Sequence, residues 1–300
     1  MSAPDERVCL IDASLYVFRA WHSLPPDWRD AEGWPTHAVQ GFANFLLQVL
    51  ERIRPASAAV CFDESLGQGF RGEIYPAYKA NRERPDEALL RQFGRCRELA
   101  AALGLAVLAH PRYEADDLIG SVAAQVHEQE ENVLVLSADK DLTQLLREGD
   151  QQWDYPRERR YDPASVRARF GVAPTQMADL LALAGDPIDN IPGVHGIGQI
   201  TAARLLRHFG SLDALLERVR EVGHLRIRGA QALQRRLIEQ GERALLSRRL
   251  TTIARDAPVP PLAQLGVRAP DLDTLDVLFD ACGFGPFLRR RAAALAGGMG

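Results

Sequence analysis

Three short apolar runs, Val8–Ile11, Ala58–Phe62 and Val133–Leu136, each lead into an aspartate: Asp12, Asp63 and, after Ser137-Ala138, Asp139. None alternates polar with apolar residues, and helical patterns separate them. Such runs predict strands buried on both faces, as in a mostly parallel α/β sheet flanked by helices. A fourth strand is expected at Leu105–His110, followed by Glu114-Ala115-Asp116-Asp117, three carboxylates in four positions. Ligands of open α/β sheets bind at the carboxyl edge of the strands. One aspartate there reads as a helix cap. Glu114 to Asp117 alone reads as a solvated helix start, because acids favour the first turn. Three strands ending in aspartate, with a fourth feeding that cluster, go beyond capping.

Further acids follow at Asp141, Asp186 and Asp189. Nine carboxylates without clustered His or Cys specify oxygen-only ligation, which suits Mg²⁺ or Mn²⁺ and argues against zinc. Mg²⁺ takes one or two protein carboxylates plus water and phosphate oxygens, so this many acids imply two ions and in-line displacement at phosphorus. The net charge of −4 becomes +5 once the nine acids are set aside, so the rest of the chain is basic despite a pI near 6.0. Of 36 basic residues only Lys79 and Lys140 are lysine, which points to a need for a compact ammonium at those two places.

Helices are expected at Ala38–Arg52, Ala88–Leu103, Leu118–Glu130, from Asp141 towards Arg147, at Pro163–Phe170, Thr175–Ala184 and Leu272–Phe287, with a frayed tail from Ala292. Tyr155–Arg160 reads as a polar turn. Gly67–Pro85 mixes Gly, Pro, Arg and aromatics and reads as a partly mobile loop or loosely held helical arch. There a helical turn would put Lys79 and Arg82 on one face. Tyr75 and Tyr78 are expected to stack on unpaired bases. Gly193-Val194-His195-Gly196-Ile197-Gly198 is neither a Walker loop nor a good dinucleotide fingerprint. It reads as a glycine turn opening a helix, either a phosphate grip or an ordinary connection. Residues 195–250 carry eleven arginines against five acids, which favours a grip on duplex backbone without sequence readout. Four cysteines form no framework and suit a reducing cytosol, and no apolar stretch is long enough to span a membrane.

Ile11-Asp12, Phe62-Asp63, Tyr78-Lys79-Ala80-Asn81-Arg82, Glu114-Ala115-Asp116-Asp117, Asp139-Lys140-Asp141-Leu142 and Gly185-Asp186-x-x-Asp189-Asn190-Ile191-Pro192-Gly193-Val194-x-Gly196-Ile197-Gly198 occur in this order. The set resembles the flap endonuclease/5′-3′ exonuclease family, in particular the 5′-nuclease domain of bacterial DNA polymerase I, from about Val8 to about Phe287. The resemblance implies a PIN/5′-nuclease-like core over residues 1–170 with an arch at about 67–97. It also implies a helix-three-turn-helix DNA-binding region at 171–255 and a C-terminal segment, 256–300, packing back on the core. By the same resemblance Asp12, Asp63, Glu114 and Asp116 hold one metal, and Asp139, Asp141, Asp186 and Asp189 the second. Asp116 lies between the two ions, and Asp117 is a nearby ligand or holds coordinated water. Lys79 and Arg82 steer or stabilise the scissile phosphate, and Arg19 sits near the active site as a further catalytic residue. Tyr78, Gly193, Gly196, Gly198, Thr201 and Arg204 meet DNA, and backbone carbonyls around Val194 and Ile197 hold K⁺.

The chain departs from the family pattern in two places. Ile200 stands where a phosphate-contacting lysine is usual, so the DNA grip should be weaker by about one contact. Ser137-Ala138 replaces Thr-Gly, a change the backbone tolerates. The implied activity is two-metal hydrolysis of DNA at 5′ ends or flaps, RNA–DNA primer flaps included, in replication or repair. The expected setting is the bacterial cytosol and nucleoid, as a monomer with any polymerase acting in trans. The rivals are a PIN-type ribonuclease and a non-catalytic protein that binds branched DNA. Lys79→Ala is expected to slow the chemical step, and an unchanged single-turnover rate would remove Lys79 from it.

Overall fold

The computed structural model describes residues 6–64 and 69–297; Gly67 and Gln68 of the expected arch and Gly298–Gly300 of the tail lie outside them. The chain opens with strand β1 (Val8–Asp12) and helices α1 (Ala13–Ser23) and α2 (His37–Ile53). Strand β2 (Ala58–Asp63), α3 (Phe70–Ile74), α4 (Glu87–Ala102), β3 (Ala106–His110) and α5 (Ala115–Glu128) follow. After β4 (Val133–Leu136) come β5 (Gln151–Asp154), β6 (Arg159–Tyr161), α6 (Pro163–Phe170) and α7 (Met177–Ala184). The rest is α8 (Gln199–Phe209), α9 (Leu212–Glu217), α10 (Ala230–Thr251), α11 (Leu272–Ala281) and α12 (Pro286–Gly297). Two compact units result: residues 1–65, 84–138 and 255–300, and residues 66–83 and 139–254.

In the first unit β1 pairs in parallel with β2 on one side and β4 on the other, and β3 lies parallel outside β2. β1 and β4 are buried along their whole length, as their unbroken apolar runs require. Cys9 faces Ala58 and Asp12 faces Cys61, so Asp12 and Asp63 close their strands at the same edge of the sheet. Helix α5 packs on all four strands, while α1 and α4 pack on α2. Gln92 of α4 accepts with Oε1 from the amides of Ala38 (2.7 Å) and Val39 (3.2 Å), satisfying first-turn donors of α2 that the helix itself leaves unmade. Helix α11 packs on α4 and α12 on α2. The expected fraying from Ala292 is corrected here. Ala292 is buried, and Arg291 donates to both oxygens of Glu51 at 2.8 and 2.7 Å, which fastens the tail.

The second unit is helical around an apolar core that includes Leu180, Leu183, Val194, Ile197, Leu205, Leu206 and Leu237. One local expectation fails there and another is incomplete. The segment after Asp141 makes only a five-residue 3₁₀ turn, Asp141–Leu145. Leu146 is extended, and Arg147 N–H is taken by Asp150 Oδ2 at 2.6 Å, so no further helical turn can form. The stretch read as a polar turn does turn, over residues 155–158, but its last two residues already belong to β6, which pairs antiparallel with β5, and the Arg160 guanidinium lies 3.9 Å above the Trp153 ring. Charged residues on a short exposed strand gave no periodic signal.

All four cysteines are buried thiols, and among the described residues no helix is long and apolar enough to cross a membrane. In the first unit Gly104 has φ +81°, and a Cβ on it would stand 2.0 Å from the Arg268 carbonyl oxygen. Gly104→Ala is therefore expected to cost ~2 kcal/mol or more, read as a lower urea midpoint at unchanged m-value.

Candidate active site

Five of the candidate acids occupy the carboxyl edge of the first unit's sheet or the start of the helix that follows it. Asp12 ends β1 and caps α1: its Oδ1 accepts from Leu15 N–H at 3.2 Å, and its Oδ2 from the Ser137 hydroxyl at 2.8 Å. Ser137 is fully buried, so the residue read only as a tolerated backbone change has a task that a threonine hydroxyl could also perform. Sequence inspection could have found it from the hydroxyl common to Ser and Thr. Asp63 ends β2 half-buried, its N–H donating to Ser14 Oγ at 2.8 Å. Glu114 caps α5, and Asp116 and Asp117 fill its first turn.

That helix start is not solvated. Glu114 is 6% exposed and Asp117 0%. Asp117 Oδ2 accepts from Glu114 N–H at 3.0 Å, so one of its oxygens already serves the local fold. Burial and then the charges of Asp12 and Asp116 push the Cys61 thiol well above its usual range. Asp12 and Asp116 thus act on one spot of β2. Arg19 is half-buried on α1.

The remaining acids stand in the second unit. Asp139 Oδ1 accepts from Asp141 N–H at 2.9 Å, and Gln152 Nε2 donates to the Asp139 carbonyl at 2.6 Å. Asp186 and Ile191 exchange backbone hydrogen bonds across a tight loop, Asp186 N–H to Ile191 O at 3.0 Å and Ile191 N–H to Asp186 O at 2.8 Å. Asp186 Oδ1 accepts from Ile188 N–H at 2.9 Å. Lys140 Nζ donates to Asp186 Oδ2 at 2.6 Å and stands 3.2 Å from Asp141 Oδ1. The second contact is an ion pair without hydrogen-bond alignment, so Asp141 Oδ1 stays buried with no donor.

Burial, then the neighbouring Asp139, raises the Asp141 carboxyl to about 7. Burial works against ionised Asp186 too, but the bond and charge of Lys140 together with the Ile188 and Asp189 amides outweigh it and hold that carboxyl low. An ammonium is thus seated between the Asp141 and Asp186 carboxylates. All the donors are hard oxygens, as a Mg²⁺-type ion requires. Among the described residues no three acid, His or Cys side chains already converge as a finished metal cage.

The same unit fastens the lysine segment of the arch to the acid loop. Lys79 N–H donates to Asp189 O at 3.0 Å, Asn81 Nδ2 to Pro187 O at 3.0 Å and Asn190 Nδ2 to Ala77 O at 2.7 Å. Arg82 forms a salt bridge with Asp189. Lys79 and Asn190 both hold positive φ, 53° and 56°, so the segment is a set of turns and not the helical turn expected. It is also pinned more firmly than a loosely held loop. Arg71 is 4% exposed and donates to the carbonyls of Leu250 (2.8 Å) and Thr252 (3.0 Å) at the end of α10. Tyr78, expected to stack on bases, is 5% exposed and packs on Ile191 and Leu250 beneath Lys79 Nζ, 5.1 Å from its ring centre. Tyr75 is only partly buried against the same cluster.

The glycine turn has a narrow neck. Gly193 has φ +56°, its N–H donates to Ser247 Oγ at 3.1 Å, and a Cβ there would come 2.4 Å from Gly185 N. Val194 and Ile197 point into the core, Ile197 N–H donating to Val194 O at 3.0 Å. Gly196 backs onto the Arg236 guanidinium. Gly198 caps α8, whose first turn carries Ile200, 76% exposed, and half-buried Thr201, with exposed Arg204 one turn on. Asn190→Ala is expected to speed amide hydrogen exchange across 77–82 by tenfold or more, roughly the loss of one hydrogen bond, and unchanged protection would show that Asn190 does not fasten the segment.

A family model described as 5′-3′ exonuclease, N-terminal resolvase-like domain, matches residues 7–171, and one described as 5′-3′ exonuclease, C-terminal SAM fold, matches residues 172–273. DNA polymerase I of Rhizobium leguminosarum is 38% identical over 261 residues, 85% of this chain and 25% of that protein. DNA polymerase I of Bacillus caldotenax is 37% identical over 291 residues, 95% of this chain and 32% of that one. The chain thus spans a quarter to a third of the length of these relatives. Among solved structures, T5 5′-exonuclease with bound zinc superposes with TM-score 0.67 at 19% identity, covering 97% of this chain and 98% of that one. The catalytic core of Rad2 with DNA substrate gives 0.62 at 16%, covering 97% and 91%. At those identities the structural likeness speaks for the fold, a mostly parallel α/β sheet flanked by helices with a helical C-terminal part. On the two family models and the polymerase relatives together, the chain belongs to the 5′-3′ exonuclease family.

Proposed function

We propose that the protein is a divalent-metal-dependent 5′ nuclease that hydrolyses DNA phosphodiesters at 5′ ends and 5′ flaps. The observation that carries this reading is the oxygen-only donor set, part of which already seats an ammonium ion. Asp12, Asp63, Glu114 and Asp116 are assigned to one Mg²⁺ or Mn²⁺, and Asp139, Asp141, Asp186 and Asp189 to the second. Two such ions supply charge neutralisation at the phosphate and a water acidic enough to attack near neutral pH. The protein's own part is to aim the oxygens. Ser137 and Leu15 N–H fix both oxygens of Asp12, and Asp117 holds the start of α5 from which Glu114 and Asp116 project.

Lys79 and Arg82 provide positive charge for the scissile phosphate as negative charge develops, with Arg19 a further cation for the same reaction. Arg82 leaves Asp189 to do so, and the backbone bond from Lys79 N–H to Asp189 O keeps the segment in place meanwhile. The turn ending at Gly198 and the start of α8, with Thr201 and Arg204, grip duplex backbone. Ile200 offers no charge there, so the salt dependence is shallower by about one phosphate contact. Carbonyls around Val194 and Ile197 provide hard oxygens for K⁺. The substrates extend to RNA–DNA primer flaps, and the setting is replication or repair in the cytoplasm, as a monomer working beside a polymerase.

Asp116→Asn is expected to abolish Mg²⁺-dependent cleavage of a labelled 5′-flap DNA while binding of that DNA in Ca²⁺ persists. Retained turnover would sink the metal assignment. Preferential cutting of single-stranded RNA in the same assay would turn the reading towards a ribonuclease.

A further inference from the structure

Lys140 has no part in the reaction just proposed, yet it is one of only two lysines in a chain with 36 basic residues. Its backbone is fixed, because its carbonyl accepts from both Thr143 N–H (3.1 Å) and Thr143 Oγ1 (2.6 Å). Its ammonium reaches into the acids of its own unit, 2.6 Å from Asp186 Oδ2 and 3.2 Å from Asp141 Oδ1. The Asp186 and Asp141 side chains are only 8% and 16% exposed, and that of Lys140 only 31%. Asp139 stands beside them, turned by its bond from Asp141 N–H. This arrangement differs from a surface ion pair, in which both partners would keep most of their water. Asp141 and Asp186 lie largely out of water with the charge of Asp139 acting on Asp141, and removing the ammonium between them leaves their repulsion less compensated. An ammonium is compact and accepts oxygens from several directions. The planar guanidinium used at the other basic positions, Lys79 apart, cannot occupy the same volume.

We infer that Lys140 is the internal counter-ion of the Asp139, Asp141 and Asp186 subsite, holding these carboxylates together when no divalent cation is bound and giving up its contacts when one enters. The inference rests on the reading of these acids as cation ligands. It makes the two cations competitors for the same oxygens. Metal affinity at this subsite is therefore lower than the acids alone would give, and the exchange leaves a tethered ammonium beside the newly bound ion. The metal-free protein keeps the subsite assembled, so occupancy follows the free metal concentration without any refolding of the segment.

The test is Mn²⁺ binding to the full chain, followed by calorimetry and by the Mn²⁺ electron paramagnetic resonance signal, for wild type, K140M, K140R and D186N. K140M is expected to bind one Mn²⁺ about tenfold more tightly than wild type. It should also melt lower in chelator and recover in saturating Mn²⁺, whereas K140R should tighten less. Wild-type or weaker Mn²⁺ affinity in K140M overturns the counter-ion role, whatever its melting temperature. D186N binding as many Mn²⁺ ions as wild type overturns instead the underlying assignment of these acids.

Should K140M fail to fold, the wild type still decides. With ¹³C-labelled lysine the chain gives signals from two lysines only. Mg²⁺ titration is expected to shift the Lys140 ε-carbon resonance at the stoichiometry of the second site. A Lys140 resonance unmoved at saturation overturns the inference.

Discussion

Carboxylates brought together out of water repel, and the structure depends on how that repulsion is contained. In the first unit the containment includes hydrogen bonds: Ser137 and Leu15 N–H on Asp12, and Glu114 N–H on Asp117. In the second it is by charge, with Lys140 between Asp141 and Asp186, and Arg82 on Asp189. Neutral donors lower the cost of an anion modestly, while a charged partner lowers it more and also occupies the place a cation would take. The two acid sets are therefore held in different ways: hydroxyl and backbone donors orient Asp12 and Asp117 in the first, and an ammonium lies between Asp141 and Asp186 in the second.

The arch segment and the acid loop of the second unit form one piece of architecture. Asn190, Asn81 and Lys79 N–H join residues 77–82 to residues 187–190, Tyr78 fills the space beneath with Ile191 and Leu250, and Arg71 grips the end of α10. Lys79 and Arg82 are thereby mounted on the loop that carries Asp186 and Asp189. A shift of that loop moves the cations with it. Mounting charge on a backbone lattice of this kind keeps Lys79 placed even though its side chain is long and flexible.

Much of this could be read from the residues themselves. Unbroken apolar runs ending in aspartate located β1, β2 and β4, because burial on both faces removes alternation and leaves a plain signal. The ordered acids gave the family. What escaped had no periodic signature. The β5–β6 hairpin is short and mostly polar, with Trp153 its one fully buried apolar side chain and the Arg160 guanidinium over that ring. The burial of Tyr78 depends on Ile191 and Leu250, which are distant in sequence, and the hydroxyl of Ser137 matters only once β4 lies beside β1. Glu114 to Asp117 was legible as an acid cluster, but the task of Asp117 within the helix start required its burial to be seen.

The approach of Gly193 to Gly185 closes the acid loop at its neck, while Ile188 at the tip is 68% exposed. Neck and tip consequently differ in what sequence drift can do to them. Side chains at 187 and 188 can be exchanged without disturbing the exchange of hydrogen bonds between Asp186 and Ile191, so the chemistry presented beside the carboxylates can vary freely. At the neck, a methyl group on either glycine meets backbone that cannot yield, and a change at one offers no relief to the other. The loop thus behaves as an interchangeable head on a fixed collar, and homologues would be expected to diversify through the head.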